Sequence, residues 1–211
     1  MLQLHGPNGL ISENSGWAAN ADKVEIQDAA QTVGAFALPA DSDDAVMLVE
    51  LDPGVYTAIV SGEENTTGIA LVEIYEVGAN LSRLVNISSR AFVGTQSEVV
   101  IPGVVVIGDM PTDILVRAIG PSLEPFEIAG VLEHPVLEVL NSSGEIIATN
   151  HGWNGLSSIS EAAASVGAFA IDTESQDAAM IISLETGLYT LRISGEEGTT
   201  GVALVELYAP P

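Results

Sequence analysis

The sequence predicts an all-β fold in which one module occurs twice, and three observations support this prediction. The chain matches itself at an offset of 133 residues, with 25 identities in the 43 positions that align residues 33–75 with residues 166–208. Segments rich in valine, isoleucine, threonine and tyrosine, with alternating polarity, recur in both copies, as is typical of β-strands. Glycine-containing turns separate these segments about every eight to twelve residues, a spacing typical of sandwiches and barrels.

Three strands are predicted towards the end of each copy. They are residues 45–51, 55–62 and 68–75 in the first copy, and residues 178–184, 188–195 and 201–208 in the second. The sequences GEENTT and GEEGTT separate the last two strands of each copy, so we expect a hairpin there. The match extends upstream, where Leu2–Leu4 aligns with residues 137–139 and Trp17 aligns with Trp153.

The segment between the copies, residues 79–135, occurs once. Three further strands are predicted within SRLVNISS, EVVIPGVVVIG and DILVRAIG, and Pro102 indicates an edge strand or a bulge. We therefore expect a first β-sandwich module at 1–78, incomplete at its N-terminus, and a second, complete module at 79–211 that begins near Leu81. The expected modules are immunoglobulin-like or jelly-roll-like sandwiches in tandem.

One short helix is predicted in each copy. The stretches KVEIQDAAQTVGAF and SISEAAASVGAF are rich in alanine and follow the capping residues Asp22 and Ser158. Gly34 and Gly167 are suited to the left-handed conformation that ends a helix. Each helix is expected to cross one end of its sandwich.

The charge of the chain excludes several partners. Five basic residues stand against 29 acidic ones, which gives a net charge of −24. Nucleic acids and anionic membranes both require clustered cations, so neither is expected as a partner. The chain has no cysteine and no apolar stretch long enough to span a bilayer, and its first residues lack the pattern of a signal peptide.

No motif predicts an enzyme, and we assign no catalytic or cofactor-binding residue. Two acidic loops are candidate Ca²⁺ sites, because alternating oxygen donors in a loop suit this ion, although a solvated loop is the alternative. Their candidate ligands are Asp41, Asp43 and Asp44 in the first copy and Asp172, Glu174 and Asp177 in the second.

Covalent glycans and bound sugars give a second set of candidates. Trp17 and Trp153 are candidates for stacking on a sugar, with a cover over the sandwich core as the alternative. Asparagines in N-x-Ser/Thr triplets and threonines at the predicted hairpin tips are candidates for glycosylation. These residues are Asn65, Asn86, Asn141, Thr66, Thr67, Thr199 and Thr200.

The strings LVNISSRAFVG, ILVRAIGPSL, HPVLEVLNSSGEII and TTGVALVELY together resemble a poorly characterised repeat module of large secreted and cell-surface proteins of environmental bacteria. The resemblance implies an extracellular β-sandwich that is used in tandem and has no established activity. It carries no catalytic residues to this chain.

These observations lead us to expect a structural subunit of an extracellular bacterial filament or surface layer. A sandwich that lacks strands has open edges, and a strand from another copy of the chain would complete it. Residues 79–135, Met1–His5 or Ala203–Pro211 are candidates for the shared element in a head-to-tail homopolymer. The alternatives are a carbohydrate-binding or adhesion module of a larger surface protein and, less favoured, an enzyme acting on polysaccharide.

Overall fold

The computed structural model describes residues 1–78 and 84–210, and it confirms the all-β class. The chain divides into two units, Met1–Leu84 and Val85–Pro211. The described residues contain three antiparallel sheets and two short α-helices. Neither of these helices has the length or the apolar character needed to cross a bilayer. The predicted start of the second module near Leu81 lies outside the described residues.

The second unit is a β-sandwich of eight strands. They are β4 (Asn86–Val93), β5 (Gly103–Val106), β6 (Thr112–Ile119), β7 (Pro135–Leu140), β8 (Ile146–Asn150), β9 (Ala178–Leu184), β10 (Gly187–Gly195) and β11 (Gly201–Tyr208). One sheet has the order β5-β10-β7-β8 and the other has the order β4-β11-β6-β9. Alternate residues from both sheets meet in one apolar core, which explains why their sequences alternate.

Strand β6 is the most enclosed strand of this sandwich. It lies between β9 and β11, and every residue from Ile114 to Ile119 is buried. Ile114, Val116 and Ala118 face the core between the sheets. Leu115 faces a second apolar cluster that includes Trp153 and residues of a helix. Burial on both faces explains why the sequence here is a nearly continuous apolar run.

The predicted hairpin between the last two strands is wrong. Strand β10 belongs to one sheet and β11 to the other, so the chain crosses between sheets at residues 196–200. The crossing is tight, because a Cβ on Gly195 would lie 2.0 Å from the carbonyl oxygen of Thr199. The same tight turn occurs in the first unit, where a Cβ on Gly62 would lie 1.9 Å from the Thr66 carbonyl oxygen, although no strand follows it there.

The helix and proline predictions are largely confirmed. Helix α1 spans Lys23–Val33 and ends at Gly34, whose φ of 76° is left-handed. Helix α2 spans Ser157–Ser165, so it begins before the predicted capping residue Ser158. Pro102 immediately precedes β5, which is an edge strand as expected for a residue without an amide proton.

The first unit contains one three-stranded sheet. Its strands are β1 (Leu2–Gly6), β2 (Gly9–Asn14) and β3 (Thr57–Val60), in the order β2-β1-β3. These strands align in sequence with β7, β8 and part of β10 of the second unit. Both candidate terminal strands are already paired within their own units, Leu2–Gly6 with β2 and β3, and Gly201–Tyr208 with β4 and β6.

Two strands predicted in the first unit do not form. Residues 45–51 and 68–75 align with β9 and β11, yet neither is a strand in the described structure. In the second unit these strands are held by β4 and β6, which come from the segment that occurs once. A strand requires a neighbour for its backbone hydrogen bonds, so the sequence pattern alone does not produce one.

Candidate functional site

The candidate site is formed by the two unpaired segments of the first unit, which we call the acceptor segments, residues 45–51 and 68–75. Val72 is 51% exposed, whereas its counterpart Val205 is 1% exposed in the second unit. Other large apolar side chains of the acceptor segments are also exposed: Leu48, Val49, Leu51, Ile69, Leu71, Ile74 and Tyr75. Exposed apolar side chains concentrated in two short segments are typical of a binding face.

In the second unit the corresponding strands enclose β6 in a defined register. Arg117 lies opposite Glu206 of β11 on one side and opposite Ala179 of β9 on the other. This register places a charged residue in the middle of a buried strand. The group of residues around it, which we call the arginine site, consists of Arg117, Phe169, Glu206 and Tyr208.

The arginine site is a buried ion pair with an aromatic neighbour. Arg117 is fully buried, and its Nε lies 2.9 Å from Oε2 of Glu206. Its Nη1 donates to the backbone oxygen of Phe169 at 2.7 Å, and the guanidinium lies 4.5 Å from the centroid of the Phe169 ring. The Tyr208 hydroxyl donates to Oε1 of Glu206 at 2.8 Å. The 2.9 Å contact does not have hydrogen-bond alignment, so the pair is held mainly by charge.

The first unit retains three of the four residues of the arginine site. Glu73, Tyr75 and Phe36 align with Glu206, Tyr208 and Phe169. The Tyr75 hydroxyl donates to Oε1 of Glu73 at 3.0 Å, as in the second unit. Phe36 is 57% exposed. The arginine is the missing member, because it belongs to β6, which has no counterpart among residues 1–78.

A second feature of β6 is an anchor at its end, which we call the aspartate anchor. The Asp177 carboxylate is fully buried and accepts hydrogen bonds from the amides of Gly120 (2.7 Å) and Ser122 (3.3 Å). It also accepts from Oγ of Ser175 at 2.5 Å. The anchor fixes the chain where β6 ends, because a charged acceptor binds amide protons more strongly than a neutral one does.

The first unit retains the acceptor of this anchor but has no donor strand. Asp44 aligns with Asp177, and Oγ of Ser42 donates to its carboxylate as Ser175 does in the second unit. Asp44 is exposed. The two amides that Asp177 binds come from residues 120 and 122, which lie in the segment that occurs once. Asp44 and Glu73 are therefore two anionic groups whose second-unit counterparts both hold the β6 segment.

The start of the first acceptor segment is already held in place. The amide of Trp17 donates to the Asp44 carbonyl at 2.7 Å, and Oδ1 of Asn14 accepts from the amide of Val46 at 3.1 Å. The second unit makes the same two bonds, from Trp153 to Asp177 at 2.9 Å and from Ala179 to Asn150 at 3.0 Å. One end of the acceptor is therefore preorganised without the missing strand.

The candidate Ca²⁺ ligands do not form a cluster. Within the described ranges 1–78 and 84–210, no group of three or more acidic or histidine residues is placed to hold a metal ion. Asp177 is committed to its amide donors, and Oδ1 of Asp172 accepts from the amide of Glu174. In the first copy, Asp41, Asp43 and Asp44 are exposed. This geometry corresponds to the solvated-loop alternative.

The structure buries both tryptophans. Trp17 and Trp153 are each 2% exposed. Each indole Nε1 donates to a backbone oxygen, of Pro39 at 2.8 Å and of Asp172 at 3.0 Å. The rings therefore offer no open face to a sugar, and their placement corresponds to the alternative, in which they cover a core.

The candidate glycosylation residues are mostly accessible. All are exposed except Asn141, which is half-buried: the exposed ones are Asn65, Thr66, Thr67, Asn86, Thr199 and Thr200. Oδ1 of Asn141 accepts from the amides of Ser143 and Glu145. Thr66 and Thr199 donate to the carbonyls of Glu63 and Glu196 in matching turns. Glycosylation at these positions stays a prediction.

Sequence reasoning missed the arginine site and the aspartate anchor. A carboxylate on an alternating strand is usually solvated, but Glu206 is 5% exposed. The sequence feature that predicts the arginine site is the arginine inside the apolar run DILVRAIG, because a charge within a buried strand requires a partner. A second signal was the retention of both Glu and Tyr in VEIY and VELY.

The arginine site predicts a loss of stability at alkaline pH. Burial, followed by the hydrogen bond to Glu206, raises the pKa of Tyr208 from 10.0 to about 12. Between these pH values the unfolded chain binds fewer protons than the folded one, so the stability of the second unit falls as pH rises from 10 to 12. Urea unfolding followed by Trp153 fluorescence should show this slope, and Tyr208→Phe should reduce it. Equal slopes in both proteins would contradict the prediction.

No protein-family model, curated protein or solved structure matches this chain.

Proposed function

We propose that this protein is a structural subunit of an extracellular bacterial filament or surface layer, in which β-strand complementation at the first unit joins subunits head to tail. The modules would be immunoglobulin-like or jelly-roll-like sandwiches used in tandem. The sequence resemblance to secreted and cell-surface repeat modules supports the location.

A single observation carries this proposal. The first unit has the sequence of the strands that enclose β6, yet those segments are unpaired and expose their apolar side chains. Burying such a side chain stabilises a protein by about 1.5–3 kcal/mol, so a complementing strand would gain substantial free energy here. Addition of a strand from a neighbouring molecule supplies both the apolar contact and the backbone hydrogen bonds.

The high negative charge also bears on assembly. Residues 1–78 contain 13 acidic residues and one basic residue, Lys23. Like charges at this density oppose non-specific association of subunits, so contact is favoured only where a specific surface offsets the repulsion. The acceptor segments provide such a surface in each subunit. A head-to-tail contact between different surfaces propagates into a filament unless it closes into a ring.

Imaging of the native material tests this proposal. An antibody raised against residues 85–210 should label filaments or a layer outside the producing cells in immunogold electron microscopy. The material released from the cell surface should sediment as large assemblies, and it should dissociate into subunits only under conditions that unfold β-sheets. Labelled protein that is confined to the cell interior, or that is released only as monomers, would refute the proposal.

A further inference from the structure

We propose that the acceptor segments bind an arginine-bearing β-strand with the pattern Arg-x-x-Gly-x-Ser, whose arginine pairs with Glu73 and whose glycine and serine amides bind Asp44. This inference rests on the proposed function, because it identifies the partner in strand complementation. It assigns a chemical class to the occupant, and it assigns roles to two carboxylates of the first unit.

The second unit supplies the template for this strand. In residues 117–122, RAIGPS, the arginine reaches Glu206 and the amides of Gly120 and Ser122 reach Asp177. Glu206 and Asp177 therefore bind two chemical features of the same strand. Glu206 pairs with the cation, and Asp177 accepts from two amides that lie at a fixed distance along the chain from it. The register between β6 and its neighbours fixes where these features lie relative to the apolar residues between them.

The first unit keeps the residues that face this strand even where it has lost others. Glu73, Tyr75, Phe36 and Asp44 are all identical to their counterparts. By contrast, the half-buried cross-strand pair of Arg192 and Glu138, whose Nε and Oε2 are 2.6 Å apart, is replaced by Ile59 and Gln3 in the first unit. The retained residues are those that a bound strand would contact.

Charge complementarity selects a cationic strand. Glu73 lies between exposed apolar residues, and binding of a strand would remove it from water. A buried carboxylate is costly unless it is paired, so a strand without a cation at this position would leave an uncompensated charge. An arginine provides both the charge and the stacking on Phe36 that Arg117 makes with Phe169.

The β6 segment of the second unit is not free to fill the first unit. The pattern Arg-x-x-Gly-x-Ser occurs once in the chain, at 117–122, and the second unit uses it. Exchange of this segment between copies of these 211 residues would open one acceptor for each one that it fills. The occupant is therefore a strand of this pattern that a folded second unit does not already use.

A synthetic peptide with the sequence of residues 109–122 tests this inference on the full chain. We expect one labelled peptide to bind per chain in fluorescence anisotropy. Backbone amides of the acceptor segments should become protected from hydrogen exchange when the peptide is bound. A peptide with citrulline in place of arginine should bind at least about tenfold more weakly, because the isostere removes the charge alone.

Protein variants locate the two contacts. Glu73→Gln should abolish the preference for arginine over citrulline, and Asp44→Ala should weaken both peptides by about tenfold or more. Glu63→Gln, in an exposed turn outside the acceptor segments, is the matched control and should bind like the unmodified chain. Equal affinity for the arginine and citrulline peptides, or binding of two peptides per chain, would overturn the inference.

The outcomes separate this inference from the proposed function. Extracellular filaments in the native material, together with a chain that does not bind the peptide, would refute the inference alone. Arginine-dependent binding together with an intracellular or monomeric native protein would refute the structural function and leave the strand site. A chain that self-associates through its acceptor segments and is not displaced by the peptide would show that an element other than a strand of this pattern is the occupant, which overturns the inference.

Discussion

Replacing Arg117 with methionine should destabilise the second unit by about 3–5 kcal/mol, because the change leaves the Glu206 carboxylate buried without its cation. The methionine side chain fills much of the same volume, so the loss arises mainly from charge rather than from a cavity. Urea unfolding should be followed by Trp153 fluorescence in a Trp17→Phe background, since each unit contains one tryptophan. A shift in the midpoint without a change in slope would indicate a change in stability alone.

The partner variant distinguishes a charge effect from a packing effect. Adding Glu206→Leu to Arg117→Met should recover a large part of the loss, because no unpaired charge is left in the core. Glu73→Leu is the matched control in the first unit, where the carboxylate is exposed and no arginine faces it, and its effect should stay within about 0.5 kcal/mol. A double variant that is less stable than Arg117→Met would contradict the role assigned to the ion pair.

The second large effect is expected at the aspartate anchor. Asp177→Ala should destabilise the second unit by about 3 kcal/mol, because the buried amide of Gly120 and the partly buried amide of Ser122 both lose their acceptor. Asp177→Asn keeps one acceptor oxygen and should cost less than the alanine variant. The same fluorescence-detected urea titration measures both variants.

Asp44→Ala is the matched control for the anchor. Asp44 occupies the same sequence position in the first unit, but it is exposed and lacks amide donors from a β6 counterpart. Its replacement should change the stability of the unbound chain by less than about 0.5 kcal/mol. If Asp177→Ala and Asp44→Ala had equal effects, the amides at the end of β6 would not be the source of the stabilisation.

The class of fold and the helices could be predicted from the sequence because they depend on local patterns. Apolar runs bounded by turn residues indicated strands such as β6 and β11, and glycines suited to the left-handed conformation marked the helix ends. The hairpin prediction failed because a six-residue turn is compatible with either of two outcomes. It can join neighbouring strands of one sheet or carry the chain to the opposite sheet, and only the tertiary packing decides between them.

The candidate site could not be predicted from local patterns because it depends on the absence of two neighbouring strands. Residues 68–75 have the sequence of a central strand, and nothing within them reveals that the two neighbours are missing. The comparison between copies contained this information, since residues 79–135 occur once while their partners occur twice. The roles of Glu73 and Asp44 required the coordinates of their buried counterparts, because a carboxylate in an alternating strand is usually solvated.

The order of strands in the β4-β11-β6-β9 sheet has a consequence for how the second unit folds. Both edges of β6 pair with strands that lie much later in the sequence, as in the pair of Leu115 with Tyr208. No local contact can therefore nucleate this sheet. Folding of such a topology is slow, on the order of milliseconds to seconds, because long loops must close before any pairing is gained. The most enclosed strand of the unit therefore remains without its neighbours on the ribosome until residues 178–208 have been synthesised.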